Sequence, residues 1–197
     1  MPLSTIMNTE RPDSEYQSFL SGPSAFPVTP SDRNGHVDVA ALKRLVAKLC
    51  AEGVDSIGLL GSTGTYMHLS REERRRALGA TIQEAGGSIP VVVGVGAMRM
   101  DEAVRLAQDA KAAGAAAGLL AAVSYAPLAE DEVFEHFSTV ARESGLPIVI
   151  YDNPGSTHFR FTANLVERLA QVSGMVAINN PTENSEEIAG HQTCSPT

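Results

Sequence analysis

The sequence predicts an α/β fold built on a parallel sheet, and three observations carry that prediction. Six apolar, strand-like runs alternate with helical segments along the 197-residue chain, and most connections are short. Polar side chains recur just past the strand ends, at Ser62 and Thr63, Tyr125, Tyr151 and Asn179. No Gly-x-Gly-x-x-Gly follows the first strand, which weighs against an open, doubly wound dinucleotide-binding sheet. Barrels build their sites from the C-terminal ends of several strands, so the reading favoured is a (β/α)8 TIM barrel.

Taken in order, residues 1–18 are polar and lack the apolar core of a signal peptide, so they read as a flexible extension before a barrel domain over 19–190. Leu20–Val28 is a short first strand. Asp38 caps a helix over Val39–Ala51, with Leu42, Leu45, Val46 and Leu49 at helical spacing and Gly53 as its stop. Val54–Leu60 is the second strand. Ser70, with Glu73 three residues on, has the spacing of a capping box and opens a helix over Arg71–Ala85. The β-branched run Ile89–Val95 is a buried strand, followed by a helix over Asp101–Ala113 that Gly114 ends. Ala115–Val123 is the fourth strand. Gly114 to Leu120 weakly echoes Gly53 to Leu60, a faint internal repeat. Glu130–Ser144 is helical, with Val133, Phe134, Phe137 and Val140 on one face. Strand Pro147–Tyr151, helix Thr162–Gln171 and strand Met175–Ile178 complete the pattern. A closed barrel takes about 250 residues. Strands seven and eight are not legible, residues 191–197 read as an unstructured tail, and the barrel reads as truncated after about six βα units.

Composition narrows the function. A net charge of −8 gives no basic face for nucleic acid. Arg71, Arg74, Arg75 and Arg76 cluster, but they interleave with Glu72 and Glu73 and read as a solvated helix face. Cys50 and Cys194 have no metal or redox spacing, which points to free thiols in a reducing, cytoplasmic setting. No apolar run approaches the ~18 residues of a membrane span, and no metal-ligand cluster is legible.

The most informative stretch is Leu59 to Thr65. A buried strand stops at Gly61 and Gly64, which bracket Ser62 and Thr63. Glycines let backbone N–H groups approach a ligand, and hydroxyls add donors, so such a loop can hold a small carboxylate or phosphate. A tight turn with incidental hydroxyls would look the same.

Four stretches in order resemble the dihydrodipicolinate synthase/N-acetylneuraminate lyase family of Schiff-base aldolases. They are Gly61-Ser62-Thr63-Gly64, the run Val91 to Gly96, Ser124-Tyr125-Ala126-Pro127 with His136-Phe137 beyond it, and Ile150-Tyr151-Asp152-Asn153-Pro154-Gly155. The match extends from about Phe26 to Pro181. The resemblance implies a (β/α)8 barrel, a homo-oligomer (dimer or tetramer), a pyruvate-like 2-oxo acid substrate and no cofactor or metal. It implies reversible carbon–carbon cleavage or formation through a lysine imine, in which the protonated imine stabilises the adjacent carbanion. By the same resemblance Tyr151 is the proton-shuttling tyrosine. Gly61, Ser62 and Thr63 hold the substrate carboxylate, and Tyr125 is a second tyrosine that in some members crosses a dimer interface.

Three positions depart from the family pattern, and one is Ser124, which stands where the family's Tyr-Tyr pair has its first tyrosine. Asn179 stands where the imine-forming lysine is expected, and an amide nitrogen is not a nucleophile. The three lysines, Lys43, Lys48 and Lys111, all fall on predicted outer helices. Ser156 occupies the position at which dihydrodipicolinate synthases carry a carboxylate-binding arginine, which argues against that substrate. His158 follows as a loop residue that could touch a substrate. The reading is therefore a family aldolase whose imine chemistry is blocked at Asn179. The alternatives are a non-catalytic 2-oxo-acid-binding or regulatory relative, or the truncated product of an active parent. Asn179→Lys alone is not expected to restore turnover in a barrel of this length.

Overall fold

A computed structural model describes residues 4–5 and 22–180. One seven-stranded sheet runs through it in the order β1-β7-β6-β5-β4-β3-β2. The strands are β1 Ser4–Thr5, β2 Ser24–Ala25, β3 Ser56–Leu59, β4 Val91–Gly94, β5 Ala117–Ala121, β6 Ile148–Tyr151 and β7 Met175–Asn179. Strands β2 to β7 pair in parallel, each with its sequence neighbour, as consecutive βα units require. This is a six-stranded parallel half-barrel of the TIM type. The helices are α1 Val39–Ala51, α2 Arg71–Ala85, α3 Met100–Ala113, α4 Glu130–Ser144, α5 Pro154–Thr157 and α6 Ala163–Ala170.

The helices form where their caps say they should. The Asp38 side chain accepts from Ala41 N at 2.9 Å, and Thr162 accepts from Leu165 N at 3.2 Å. Gly86, Gly114 and Gly145 end α2, α3 and α4 in the left-handed conformation. The predicted capping box at α2 is only half made. Ser70 Oγ accepts from Glu73 N, but the Glu73 carboxylate accepts from Val37 N at 2.6 Å and pairs with Arg76. It thereby ties the segment before α1 to α2 and is no solvated face residue.

The strands are shorter than the apolar runs that predict them, because burial continues past the last ladder hydrogen bond. The first strand, predicted over Leu20–Val28, is reduced to Ser24–Ala25. Three described elements are absent from the sequence reading, one of them the 3-10 turn Tyr66–His68. Helix α5 follows β6 directly, and Ser4–Thr5 pairs antiparallel with Ile178 and Ala177 of β7. The rest of the predicted extension before residue 19, and the tail over 191–197, lie outside the described residues.

Side chains alternate across the sheet. Ile57, Leu59, Val91, Val93, Leu120, Ile148 and Ile150 face the helices and join Leu42, Val46, Phe137 and Leu165 in the main core. Val92, Ala117, Leu119, Val149 and Ala177 form a second, smaller cluster on the other side, with Phe26 and Tyr151 packed against it. The main core holds the fold, and the second cluster floors the candidate site.

Candidate active site

The site lies at the C-terminal ends of the parallel strands. The loop after β3 is held by its own turn: Gly64 N donates to Gly61 O at 3.0 Å and Thr65 N to Ser62 O at 3.1 Å. Two non-glycine residues bracket it in the left-handed region, Leu60 at φ 55° and Thr65 at φ 51°. Such backbone costs of order 1–3 kcal/mol per residue and persists only where the surroundings impose it. A side chain at Gly64 would be tight, since a Cβ there would meet Leu60 Cα at 3.0 Å and Thr29 Oγ1 at 3.1 Å. Gly94 is stricter still, because a Cβ would overlap the Leu60 carbonyl oxygen. The left-handed turn at Leu60 thus depends on a glycine in the neighbouring strand.

Ser62, on this loop, meets Tyr151, the last residue of β6, with Oγ and Oη 3.0 Å apart. The two are 89 positions apart in sequence. Tyr151 Oη also accepts from Asn153 Nδ2 at 2.8 Å. Across the sheet Tyr151 pairs in register with Asn179, the last residue of β7. Asn179 is 1 % exposed, and its Oδ1 is buried without a hydrogen-bond partner. Its carbonyl accepts from Asp152 N at 3.0 Å. Ser62, Tyr151 and Asn179 therefore belong to one constellation.

The remaining candidates are placed differently. Thr63 Oγ1 donates to Phe26 O at 3.3 Å, fastening the loop to the chain that leaves β2. Tyr125 is 96 % exposed, beyond β5. Ser156 lies on α5 with Oγ donating back to Asn153 O at 3.2 Å. His158 caps that helix at φ 58°. Lys43 and Lys48 are on α1 and Lys111 on α3, all in the outer helical layer. A separate cavity of about 540 Å³, lined by Met98, Met100, Ser124, Leu128, Glu132 and His136, includes no residue of the Gly61–Gly64 loop.

Sequence reasoning missed two residues near the site. Asn153 reads as turn chemistry before a proline. Arg74 reads as one more charge on a solvated face, yet it is 6 % exposed. Its guanidinium donates to Gly96 O at 3.0 Å and Leu69 O at 3.3 Å, and it lies over the Tyr66 ring, 5.1 Å from the centroid. Burial lowers the Arg74 pKa from its ordinary value. Burial also pushes the Tyr66 phenol up, against the pull of Arg74 and with a smaller push from Tyr151. Alternating charges hid Arg74. Its i, i+3 and i, i+4 neighbours Ala77 and Leu78, both buried, were the available signal.

A parallel βα half-barrel with a hydroxyl loop, a tyrosine and a polar strand terminus at its C-terminal rim has the layout of a barrel-type enzyme site. The chain belongs to the dihydrodipicolinate synthetase family, whose model matches residues 20–195. It is 36% identical over 168 residues to a 4-hydroxy-tetrahydrodipicolinate synthase of Methylococcus capsulatus, covering 85% of this chain and 58% of that one. A similar synthase from Thiobacillus denitrificans is 33% identical over 82% of this chain and 55% of its own. Among solved structures, a dihydrodipicolinate synthase from Agrobacterium tumefaciens is 50% identical with a TM-score of 0.79, over 82% of this chain and 54% of that one. Another, from Acinetobacter baumannii and complexed with pyruvate, is 30% identical with a TM-score of 0.80, over 86% and 61%. The chain spans a little over half the length of these curated relatives.

Proposed function

We propose that this chain binds a pyruvate-like 2-oxo acid at the Gly61–Gly64 loop and that the family's imine chemistry stops at Asn179. The reaction to which the site belongs is the reversible joining or cleavage of a carbon–carbon bond at pyruvate. The observation that carries the reading is the Ser62–Tyr151 hydrogen bond, with Asn179 in register beside it. It supports the reading because Ser62, matched to the family's carboxylate-binding hydroxyls, and Tyr151, matched to its proton-shuttling tyrosine, lie beside the strand position matched to its imine-forming lysine. Asn179 offers a carboxamide there, whose lone pair is delocalised into its carbonyl and does not add to a ketone. A binder without turnover follows, and the pyruvate complex of the Acinetobacter relative supports the ligand class.

The substrate beyond the 2-oxo acid differs, in this reading, from that of the dihydrodipicolinate synthases. The Ser156 hydroxyl, already spent on Asn153 O, lacks the charge and the fork that an arginine presents to a second carboxylate. A homo-oligomer, dimer or tetramer, is part of the proposal, and the exposure of Tyr125 suits a residue that reaches a second copy. So is a cytoplasmic setting, which the free thiol of Cys50 accords with. No described helix is long and apolar enough to cross a membrane.

The test is borohydride trapping with pyruvate, read by intact mass, alongside melting with and without pyruvate. No adduct and a pyruvate-dependent rise in Tm are expected. An adduct would show that a lysine reaches the ketone and that the binder reading is wrong. A Tm indifferent to saturating pyruvate would remove the ligand.

A further inference from the structure

Asn153 occupies the N-cap position of α5, where an asparagine side chain ordinarily accepts a hydrogen bond from the helix's own first-turn amides. Here it makes no such bond. The backbone carbonyl of Asn153 does that work, accepting from Ser156 N and Thr157 N at 3.0 Å each and from both their hydroxyls. The side chain is thereby free to turn back two residues, and its Nδ2 donates to Tyr151 Oη at 2.8 Å.

The consequence is one of direction. An amide NH₂ can only donate, while a phenol has a single proton and spare lone pairs. The Tyr151 proton therefore cannot be used on Asn153. The other neighbour of Oη is Ser62 Oγ at 3.0 Å. An anion on the loop draws the Ser62 proton toward itself and leaves Ser62 Oγ as an acceptor. The phenol proton then points at Ser62, and the chain runs one way: Asn153 N–H to Tyr151, Tyr151 O–H to Ser62, Ser62 O–H to the ligand. Bonds aligned in this way polarise and strengthen one another.

We propose that Asn153 is a positioning residue that sets the polarity of the Tyr151–Ser62 hydrogen bond, so that Ser62 presents its proton to the carboxylate of the bound 2-oxo acid. The ligand in this statement rests on the function proposed above; the polarity of the bond rests on the two distances and the unused cap.

Asn153→Leu and Asn153→Asp in the full chain test it. Leucine removes the donor without adding charge. Aspartate keeps the shape and is a good N-cap, but it accepts the phenol proton and reverses the chain. Both are compared with the parent by pyruvate titration, by melting, and by NMR of protein labelled at tyrosine Cζ, the Tyr151 resonance being assigned with Tyr151→Phe. Both variants are expected to bind pyruvate about five- to tenfold more weakly, the loss of one cooperative hydrogen bond. Both should move the Tyr151 Cζ resonance, while Asn153→Asp keeps the parent Tm. Parent-like affinity in both variants, or an unmoved Cζ resonance, overturns the inference and leaves the function proposed above standing. A parent chain that does not bind pyruvate overturns that function, and this assignment with it.

Discussion

Successive residues along each strand point to opposite sides of this sheet, and the two sides are filled by different means. Toward the helices stand Ile57, Leu59, Leu120, Ile148 and Ile150, each fully or almost fully buried. On the other side the same strands present Gly58, Gly94, Ala117 and Ala177, with Val92, Leu119 and Val149 between them. The helix-facing side maximises apolar area and so carries most of the stability. The inner side gives area up to make room, for the Phe26 ring against Gly58 and for the Leu60 carbonyl against Gly94. It ends at the C-terminal rim in Tyr151 and Asn179. Stability and site are thus separated by no more than the pleat of one strand.

Four changes would break or sharpen this contrast. The largest effect is expected from Gly94→Ala. One added carbon on the inner side meets a backbone carbonyl that no rotamer change can move, so the cost should exceed the ~1–3 kcal/mol of ordinary overpacking. Denaturant melts should show it, and a near-neutral variant would mean that Leu60 can leave its left-handed conformation cheaply. Next is Leu120→Ala on the helix-facing side, at 0 % exposure. It should cost about 2–5 kcal/mol and leave pyruvate affinity unchanged once the chain is folded. Ser62→Ala should do the reverse, weakening pyruvate about tenfold with stability altered by no more than ~0.5 kcal/mol.

The smallest effect is a pH dependence from the outer layer. Burial holds the imidazole of His136, on α4, below its ordinary value of 6.5. As pH falls through that value the unfolded chain takes up a proton that the folded one resists. The stability His136 contributes is therefore complete above 6.5 and declines as pH drops toward the folded-state value. His136→Gln should flatten this limb of a Tm-against-pH curve. An unchanged slope would assign the acid sensitivity elsewhere.

What the sequence disclosed follows the same division. Helices were legible to within a residue because their ends are written in local chemistry: Asp38, Ser70 and Thr162 at the starts, Gly86, Gly114 and Gly145 at the stops. Strand positions were legible, but their bounds were not, since Val54 and Ile89 are apolar for burial and not for ladder pairing. Helix α5 was missed because Pro154-Gly155-Ser156-Thr157 reads as a turn when the Asn153 carbonyl that gathers its amides is unseen. The candidate site residues were singled out by motif, and their relations were not. Nothing local predicts that Asn153 faces Tyr151 and not its own helix, or that Glu73 reaches Val37. Arg74 was misread for a related reason: a guanidinium can be satisfied by carbonyls, and backbone carbonyls have no sequence signature.

The two-residue strand Ser4–Thr5 lies against Ala177 and Ile178, the residues that lead into Asn179. Adjacent strands are separated by about 4.8 Å. Ser4 and Thr5 are therefore close bystanders of the candidate site. A small spin label at Ser4 would sit near enough to sense a ligand entering beside Asn179, whereas a bulky one at the same position would pry the strand off and alter the site it was meant only to report on.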